Sequence, residues 1–303
     1  MMPIFLSIAS YRDEELKHTL RSAVEMAEQP NKIHFGIVHQ GTDSERPDMS
    51  MLPHYSLISI GVGDARGVGF ARAKAMSLYN GEAYYMQVDS HTQFVKDWDR
   101  KCIEQLNKAQ KLTNNKALIS YYPVPYHRDG NNLWIQTKSN SDFKAYPMRQ
   151  VPFLRKTKEW TAERLDFANK ERALPEMSTT VLGGFIFTYG SIVEEVPYDP
   201  EISFFGEELC FAARAWTRGW DIFSPTENLA YHFYGRNGAK KVWKDGTARK
   251  ISWKELQEIS TEKQKRVLCG IEQGIYGLGN TRSIDEYEKL IGIDFKEFYG
   301  IGK

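Results

Sequence analysis

Apolar and polar positions alternate in short blocks from the first residues onward, and the period of the blocks switches repeatedly between that of a strand and that of a helix. Ile4-Phe5-Leu6-Ser7-Ile8 is a compact apolar run that stops at Ser10-Tyr11-Arg12-Asp13, which predicts a buried strand. Leu16, Leu20, Ala23, Val24 and Ala27 then form a stripe at i, i+4, i+7 and i+8, predicting a helix with Asp13 available as its cap. Strands follow at Ile33 to Val38 and Ser56 to Ile60, then a small-residue helix from Gly69 to Leu78. Tyr84-Tyr85-Met86-Gln87-Val88 makes the fourth strand, and a helix from Trp98 to Lys111 leads to a strand from Ala117 to Tyr122. Strands alternating with helices predict an α/β fold with a doubly wound, mostly parallel sheet flanked by helices.

The periodicity weakens from Pro123 to Ser178, a stretch rich in aromatic, basic and turn residues, including Tyr126, His127, Arg128, Trp134, Tyr146, Arg149, Phe153, Arg155 and Trp160. It reads as an insertion over the sheet, either an acceptor-binding region or a loop-rich surface excursion. Regular patterning returns in a strand from Val181 to Thr188, where Gly183 and Gly184 allow close approach of backbone or ligand. A helix marked by Leu209, Ala212, Ala213 and Trp216, a strand at Asp221 to Ser224, and Asn228 to Phe233 complete a core reaching residue 235. Residues 236–303 read as a C-terminal helical extension packed on the same domain, opening with the basic segment Arg236, Lys240, Lys241, Lys244, Arg249 and Lys250. That segment is either a lid over a donor pyrophosphate or a solvated basic face.

Open parallel sheets bind ligands at the carboxyl ends of their strands. Here those ends are polar: Ser10-Tyr11-Arg12, His39-Gln40, Asp64 with Arg66, and Asp89 with His91. Residues i and i+2 of an extended chain point the same way, so Asp89 and His91 can converge on one object, for which a metal ion is the natural candidate. Taken alone the pair is an ordinary solvated strand end; its place beside three other polar ends is what marks a site. Arg12, Arg66 and Arg72 would give the crevice positive character, and a guanidinium fork suits phosphate. His232 is a third candidate ligand, although a His among aromatics is also a common core residue.

Composition narrows the classes. The 303 residues are 41% hydrophobic and 26% charged, with 40 basic against 39 acidic side chains, which disfavours a dedicated nucleic-acid binder. Cys102, Cys210 and Cys269 are far apart in sequence, arguing against a disulfide framework and for a reducing compartment. The N-terminus is too short in apolar residues for a signal h-region and no apolar run reaches membrane-spanning length, so the expectation is a cytoplasmic protein without membrane partners. Two motifs mislead. Gly61-Val62-Gly63 lacks the third glycine of a dinucleotide fingerprint, since Arg66 stands in its place. Glu207-Glu208 are helix neighbours pointing about 100° apart and cannot flank a bond as a glycosidase pair does.

The ordered set Asp64-Ala65-Arg66-Gly67-Val68-Gly69-Phe70-Ala71-Arg72, Gln87-Val88-Asp89-Ser90-His91, Phe204-Phe205-Gly206-Glu207-Glu208, His232, Tyr276-Gly277-Leu278-Gly279-Asn280-Thr281-Arg282-Ser283, Tyr287 and Gly292-Ile293-Asp294 resembles glycosyltransferase family 60, UDP-GlcNAc-dependent polypeptide transferases. It is similar, more distantly, to the polypeptide GalNAc-transferases of family 27. Gln93 stands where that pattern has Arg. The resemblance implies a GT-A fold, a UDP-sugar donor, Mn²⁺ or another divalent cation, and retention of anomeric configuration. It implies Asp89, His91 and His232 as metal ligands and Arg66, Arg72, Gly183 and Gly184 at the donor, to which the polar strand ends add Ser10, Tyr11, Arg12 and Gln40 as the rest of the donor site. Glu207 or Glu208 is the acid it places at the sugar hydroxyls.

The elementary chemistry agrees. Breaking a sugar–phosphate bond leaves charge on a diphosphate that a cation with Arg support stabilises, and imidazole beside carboxylate favours Mn²⁺ over Mg²⁺. No residue reads as a nucleophile, so front-face attack is expected, with a hydroxyl-bearing acceptor, a protein in the first instance. A glycan or a hydroxymethylated nucleobase in DNA is the alternative acceptor. Two other classes compete: an iron oxygenase with two His and one carboxylate, whose H-x-D order is reversed here, and a non-catalytic nucleotide-sugar-binding module.

Overall fold

Side chains along the first strand alternate between two cores, and that alternation organises the molecule. In β1 (Ile4–Tyr11), Ile4, Leu6 and Ile8 pack with one apolar cluster while Phe5 packs with the other. The structure is a computed structural model that describes residues 2–129, 132–135, 147–154, 159–164, 173–236, 238–246 and 249–301.

The first cluster holds the buried faces of α1 (Leu16–Glu25) and, further along the chain, of the helix opened by Trp98. Between these helices come β2 (Ile33–Gln40), β3 (His54–Ile60), α2 (Val68–Met76), β4 (Tyr84–Asp89) and β5 (Thr92–Phe94). Next are α3 (Trp98–Gln110), β6 (Lys116–Ser120), and the antiparallel pairs β7 (Val124–Asp129) with β8 (Asn132–Ile135) and β9 (Met148–Leu154) with β10 (Glu159–Arg164). The chain continues through β11 (Glu176–Ser178), β12 (Phe185–Tyr189), α4 (Ile192–Glu195), α5 (Glu207–Thr217), β13 (Trp220–Ser224) and β14 (Ala230–His232). It closes with α6 (Trp253–Leu268), α7 (Ile284–Ile291) and α8 (Phe295–Tyr299), whose Val267, Leu268, Tyr287, Ile291, Phe295 and Phe298 join Leu209 and Phe211 of α5 in the second core. Arg282 pins this last section: it donates to Asp221 at 2.6 Å and to the carbonyls of Trp216 and Trp220, with its guanidinium 3.6 Å from the Trp216 ring centroid.

The main sheet runs β11-β13-β6-β12-β4-β1-β2-β3. Strands β3, β2, β1 and β4 are parallel, as the alternation of strand and helix predicts. The sheet as a whole is mixed, because β12 is antiparallel to both β6 and β4, and β11 is antiparallel to β13. The strand expected from Val181 also starts later, at Phe185, with Leu182 and Phe185 paired across a turn that holds the two glycines. Reversal of β12 has a direct consequence: Phe185 pairs with Val88, so its entrance, with Gly183 and Gly184, lies at the carboxyl end of β4.

His232 is placed by a second sheet, ordered β5-β14-β7-β8. His232 pairs with Thr92, directly after His91, so this short strand delivers an imidazole to the end of β4. In the region read as an insertion, β7 and β8 build this second sheet and β9–β10 forms a separate hairpin. Tyr146 and Arg155 lie outside the described residues, as do the side chains of Trp134 and Phe153.

Candidate functional site

Asp89 ends β4 and the chain turns through Ser90 to His91, so both side chains reach the same side. Asp89 Oδ2 is 3.0 Å from His232 Nε2 and 3.8 Å from His91 Nε2, and one ligand atom from each of the three residues falls within 4.8 Å of the others. The imidazole rings sit 4.6 Å apart, centroid to centroid. Behind them Asp13 Oδ2 lies 2.9 Å from His91 Nδ1, accepts the Ser90 hydroxyl at 2.6 Å, and pairs with Arg236 at 2.7 Å. Asp13, read from sequence as a helix cap, receives the Glu15 N–H on its other oxygen while the helix N-cap position itself falls to Glu15. No local signal in the sequence marks its second task, because its partners lie more than seventy residues away.

Arg72, one turn into α2, is buried against this cluster. It donates to Asp89 Oδ1 at 2.9 Å and to Glu207 Oε1 at 2.5 Å, tying the end of β4 to the start of α5. The other Glu207 oxygen, Oε2, is buried without a hydrogen bond of good geometry among the described residues, with the Tyr198 hydroxyl beside it. Glu208 faces differently: Oε1 accepts the Gly183 N–H at 2.6 Å and Oε2 accepts Gln150 Nε2–H at 3.1 Å. Gln87 holds the other side of Gly183 by donating to its carbonyl at 2.7 Å, a supporting role the sequence reading did not assign. A Cβ on Gly183 would stand 2.2 Å from Arg72 Nη1, so that position needs glycine, whereas one on Gly184 would stand 3.2 Å from Asp89 Oδ2, a tight contact that small shifts accommodate.

These residues line a cavity of about 420 Å³ at the strand ends, which Tyr11, Gln40, Arg72, Gly184, Glu207 and Glu208 share with the three candidate ligands. Ser10 and Gln40 are buried beside it, and Ser10 Oγ and Gln40 Oε1 have no hydrogen-bond partner among the described residues. Tyr11 donates to Asp245. Arg12 pairs with Glu45 and Asp245, and Arg66 is exposed beside Phe70 and is not part of the cavity wall. Positive charge at the wall therefore comes from Arg236, Lys240 and Lys241, the start of the basic segment. Gln150, Trp160, Thr161 and Ala162 of the β9–β10 hairpin also line it, as do Tyr122 and Tyr234.

Gln93 and Tyr231, which pair across β5 and β14, line a separate cavity of about 880 Å³ on the other face of these strands. The departure at Gln93 is thus turned away from the ligands.

Charge in the site is biased by its neighbours. Burial raises the Asp89 carboxyl, but the hydrogen bond from His232 and the charge of Arg72 outweigh it and hold it well below the carboxylate range. Burial lowers His232, favouring the neutral imidazole that a metal needs. Asp13 is also held below its usual range: His91, Arg236 and Ser90 overcome the opposing effect of burial. Glu208 goes the other way, pushed up to about 7 by burial and by Glu207.

A family model for glycosyltransferases of the GlcNAc type matches residues 3–55 and 51–297. The chain belongs to the GlcNAc glycosyltransferase family. Among solved structures it is similar to GalNAc-T7 with UDP, GalNAc and Mn²⁺, at 13% identity and a TM-score of 0.60, over 99% of this chain and 56% of that one. It is also similar to residues 1–349 of S. aureus TarS in complex with UDP-GlcNAc, at 11% identity and a TM-score of 0.48, over 88% of this chain and 73% of that one. The fold is GT-A, and the chain spans 56% of the length of GalNAc-T7.

In this member of the GlcNAc glycosyltransferase family the donor set of one carboxylate and two imidazoles fits a divalent cation. The ligand atoms are already within reach of one centre. His91 has its Nδ1 fixed by Asp13, the outer arrangement that orients a metal-bound His. His232 Nδ1 is buried with no partner among the described residues.

Proposed function

We propose that the protein is a retaining, metal-dependent transferase that moves GlcNAc from UDP-GlcNAc to a hydroxyl group, with a protein as acceptor and the cytoplasm as its compartment. The observation that carries this reading is the convergence of Asp89, His91 and His232 at the carboxyl edge of the GT-A sheet. The three cysteines, all buried and unbridged, agree with a reducing environment. Residues 1–235 form the catalytic domain on this reading, and 236–303 the extension that walls it.

Asp89, His91 and His232 would hold the cation, whose positive charge would offset that developing on the UDP leaving group. Arg72 fixes two acids and leaves phosphate to the wall's basic segment, where Arg236 pairs with Asp13 and Lys240 with Glu45, so Lys241 is the cation best placed for it. Gly183 and Gly184 leave room for the sugar beside Asp89, and Glu207 Oε2 accepts a sugar hydroxyl. Neither adjacent acid suits nucleophilic attack: Glu207 is bound to Arg72, and Glu208 is about half protonated near neutral pH. Attack therefore comes from the acceptor hydroxyl on the leaving-group side, and a phosphate oxygen of the departing UDP takes its proton.

A panel of UDP-sugars scored for slow hydrolysis with and without Mn²⁺ tests the reading. UDP-GlcNAc is expected to be consumed fastest and only with metal; a trapped covalent glycosyl-enzyme, or no donor consumed with any divalent cation, contradicts it.

A further inference from the structure

Four acids lie in the cavity wall, and three of them have a cation. Asp13 pairs with Arg236, Asp89 with Arg72, and Glu207 with Arg72. Glu208 has no ion pair with a cation among the described residues; its two oxygens go to an amide N–H and a side-chain amide. The groups whose charge reaches it are Glu207, Arg72 and Asp89 on the donor side and the phenols of Tyr122 and Tyr234, which share the cavity lining.

The two groups it binds belong to different walls. Gly183 enters β12 beside Asp89, where its carbonyl is already held by Gln87. Gln150 is 1% exposed and belongs to the β9–β10 hairpin, which also brings Trp160, Thr161 and Ala162 to the cavity. A carboxylate suits this junction because it offers two acceptors at once, whereas a neutral amide offers one acceptor and one donor. A carboxyl without a cation is costly in such a place, which fits a role beyond packing.

Resting on the function proposed above, we propose that Glu208 is a positioning residue that fastens the β9–β10 hairpin to the Gly183–Gly184 turn, so that the wall meeting the acceptor and the wall meeting the donor sugar are set as one unit. The ionised form makes both links. Adding a proton turns one acceptor into a donor and breaks the arrangement, and burial together with Glu207 places that change at about pH 7.

The test uses the full chain in three forms: wild type, Gln150→Leu and Glu208→Gln. Backbone amide exchange is followed at Gly183, and UDP-GlcNAc hydrolysis with Mn²⁺ is followed against pH. Gln150→Leu is expected to speed Gly183 exchange about fivefold to tenfold, the size of one lost hydrogen bond, although residue 150 does not touch Gly183. Wild-type kcat is expected to fall on acidification through about pH 7 with little change in KM, and Glu208→Gln to flatten that limb. Unchanged Gly183 exchange in Gln150→Leu, or an acid limb surviving in Glu208→Gln, overturns the proposal. If the wild type consumes no UDP-GlcNAc, the transferase reading fails separately, and the exchange measurement still decides whether the link exists.

Discussion

Asp13 Oδ2 lies 2.9 Å from His91 Nδ1 across 78 residues of sequence, and this contact fixes which imidazole nitrogen faces Asp89. Asp13→Asn keeps the size of the side chain but removes the charge that orients the ring. It is expected to weaken Mn²⁺ binding in the presence of UDP by about tenfold to a hundredfold, the usual cost of losing such an outer partner. Calorimetric titration of Mn²⁺ measures it, and an unchanged affinity would show that His91 is oriented by other means.

Arg72 is the one cation between Asp89 and Glu207 in the described site. Arg72→Met leaves two carboxylates facing each other with little water, so unfolding in urea should show a loss of about 3–5 kcal/mol. Arg72→Lys should recover only part of this, because an ammonium cannot reach both acids with the planar fork of a guanidinium. Equal stability of the Met and wild-type proteins would contradict the clamp.

The two glycines should differ when replaced. In Gly183→Ala the new methyl meets the Arg72 guanidinium at 2.2 Å, so the clamp must move and stability falls. In Gly184→Ala the nearest atoms are Asp89 Oδ2 at 3.2 Å and His232 at 3.5 Å, a fit that small shifts accommodate. The second variant is expected to fold as the wild type does and to bind UDP-GlcNAc more weakly. Thermal unfolding and donor titration distinguish the two.

The acid pair also predicts a pH signature. Glu208 is raised from 4.5 to about 7 in the folded protein, so its contribution to stability is present below about pH 4.5 and is lost as pH rises through about 7. Glu208→Gln removes that loss. The variant's unfolding midpoint should gain on the wild type between about pH 4.5 and pH 7 and hold level above that, and a gap independent of pH across this window would contradict the raised carboxyl.

Part of the candidate site is legible in the sequence. The alternation of Ile4, Leu6 and Ile8 against Phe5 is local, and it marks a strand buried on two faces. Asp89 and His91 follow from the i, i+2 rule at a strand end, while His232 is a candidate by residue type alone and only the resemblance ties it to the other two, since nothing near it in sequence says what it pairs with. The direction of β12 was not readable, because an apolar run looks the same in either orientation and only the crossover path decides. Arg12 and Arg72 were read as phosphate ligands because a guanidinium alone gives no hint of distant carboxylates; the structure pairs Arg12 with Glu45 and Asp245 and Arg72 with Asp89 and Glu207. Asp13 and Gln87 were missed for the same reason, their partners being far along the chain.

The central claim is that Asp89, His91 and His232 together bind the cation on which UDP-GlcNAc depends. Titrating UDP-GlcNAc into the wild type and into the triple variant Asp89→Ala, His91→Ala, His232→Ala, each with and without Mn²⁺, tests it most directly. Binding should be strengthened by Mn²⁺ in the wild type and show no response to Mn²⁺ in the triple variant. Mn²⁺-dependent donor binding that survives all three substitutions would contradict the account.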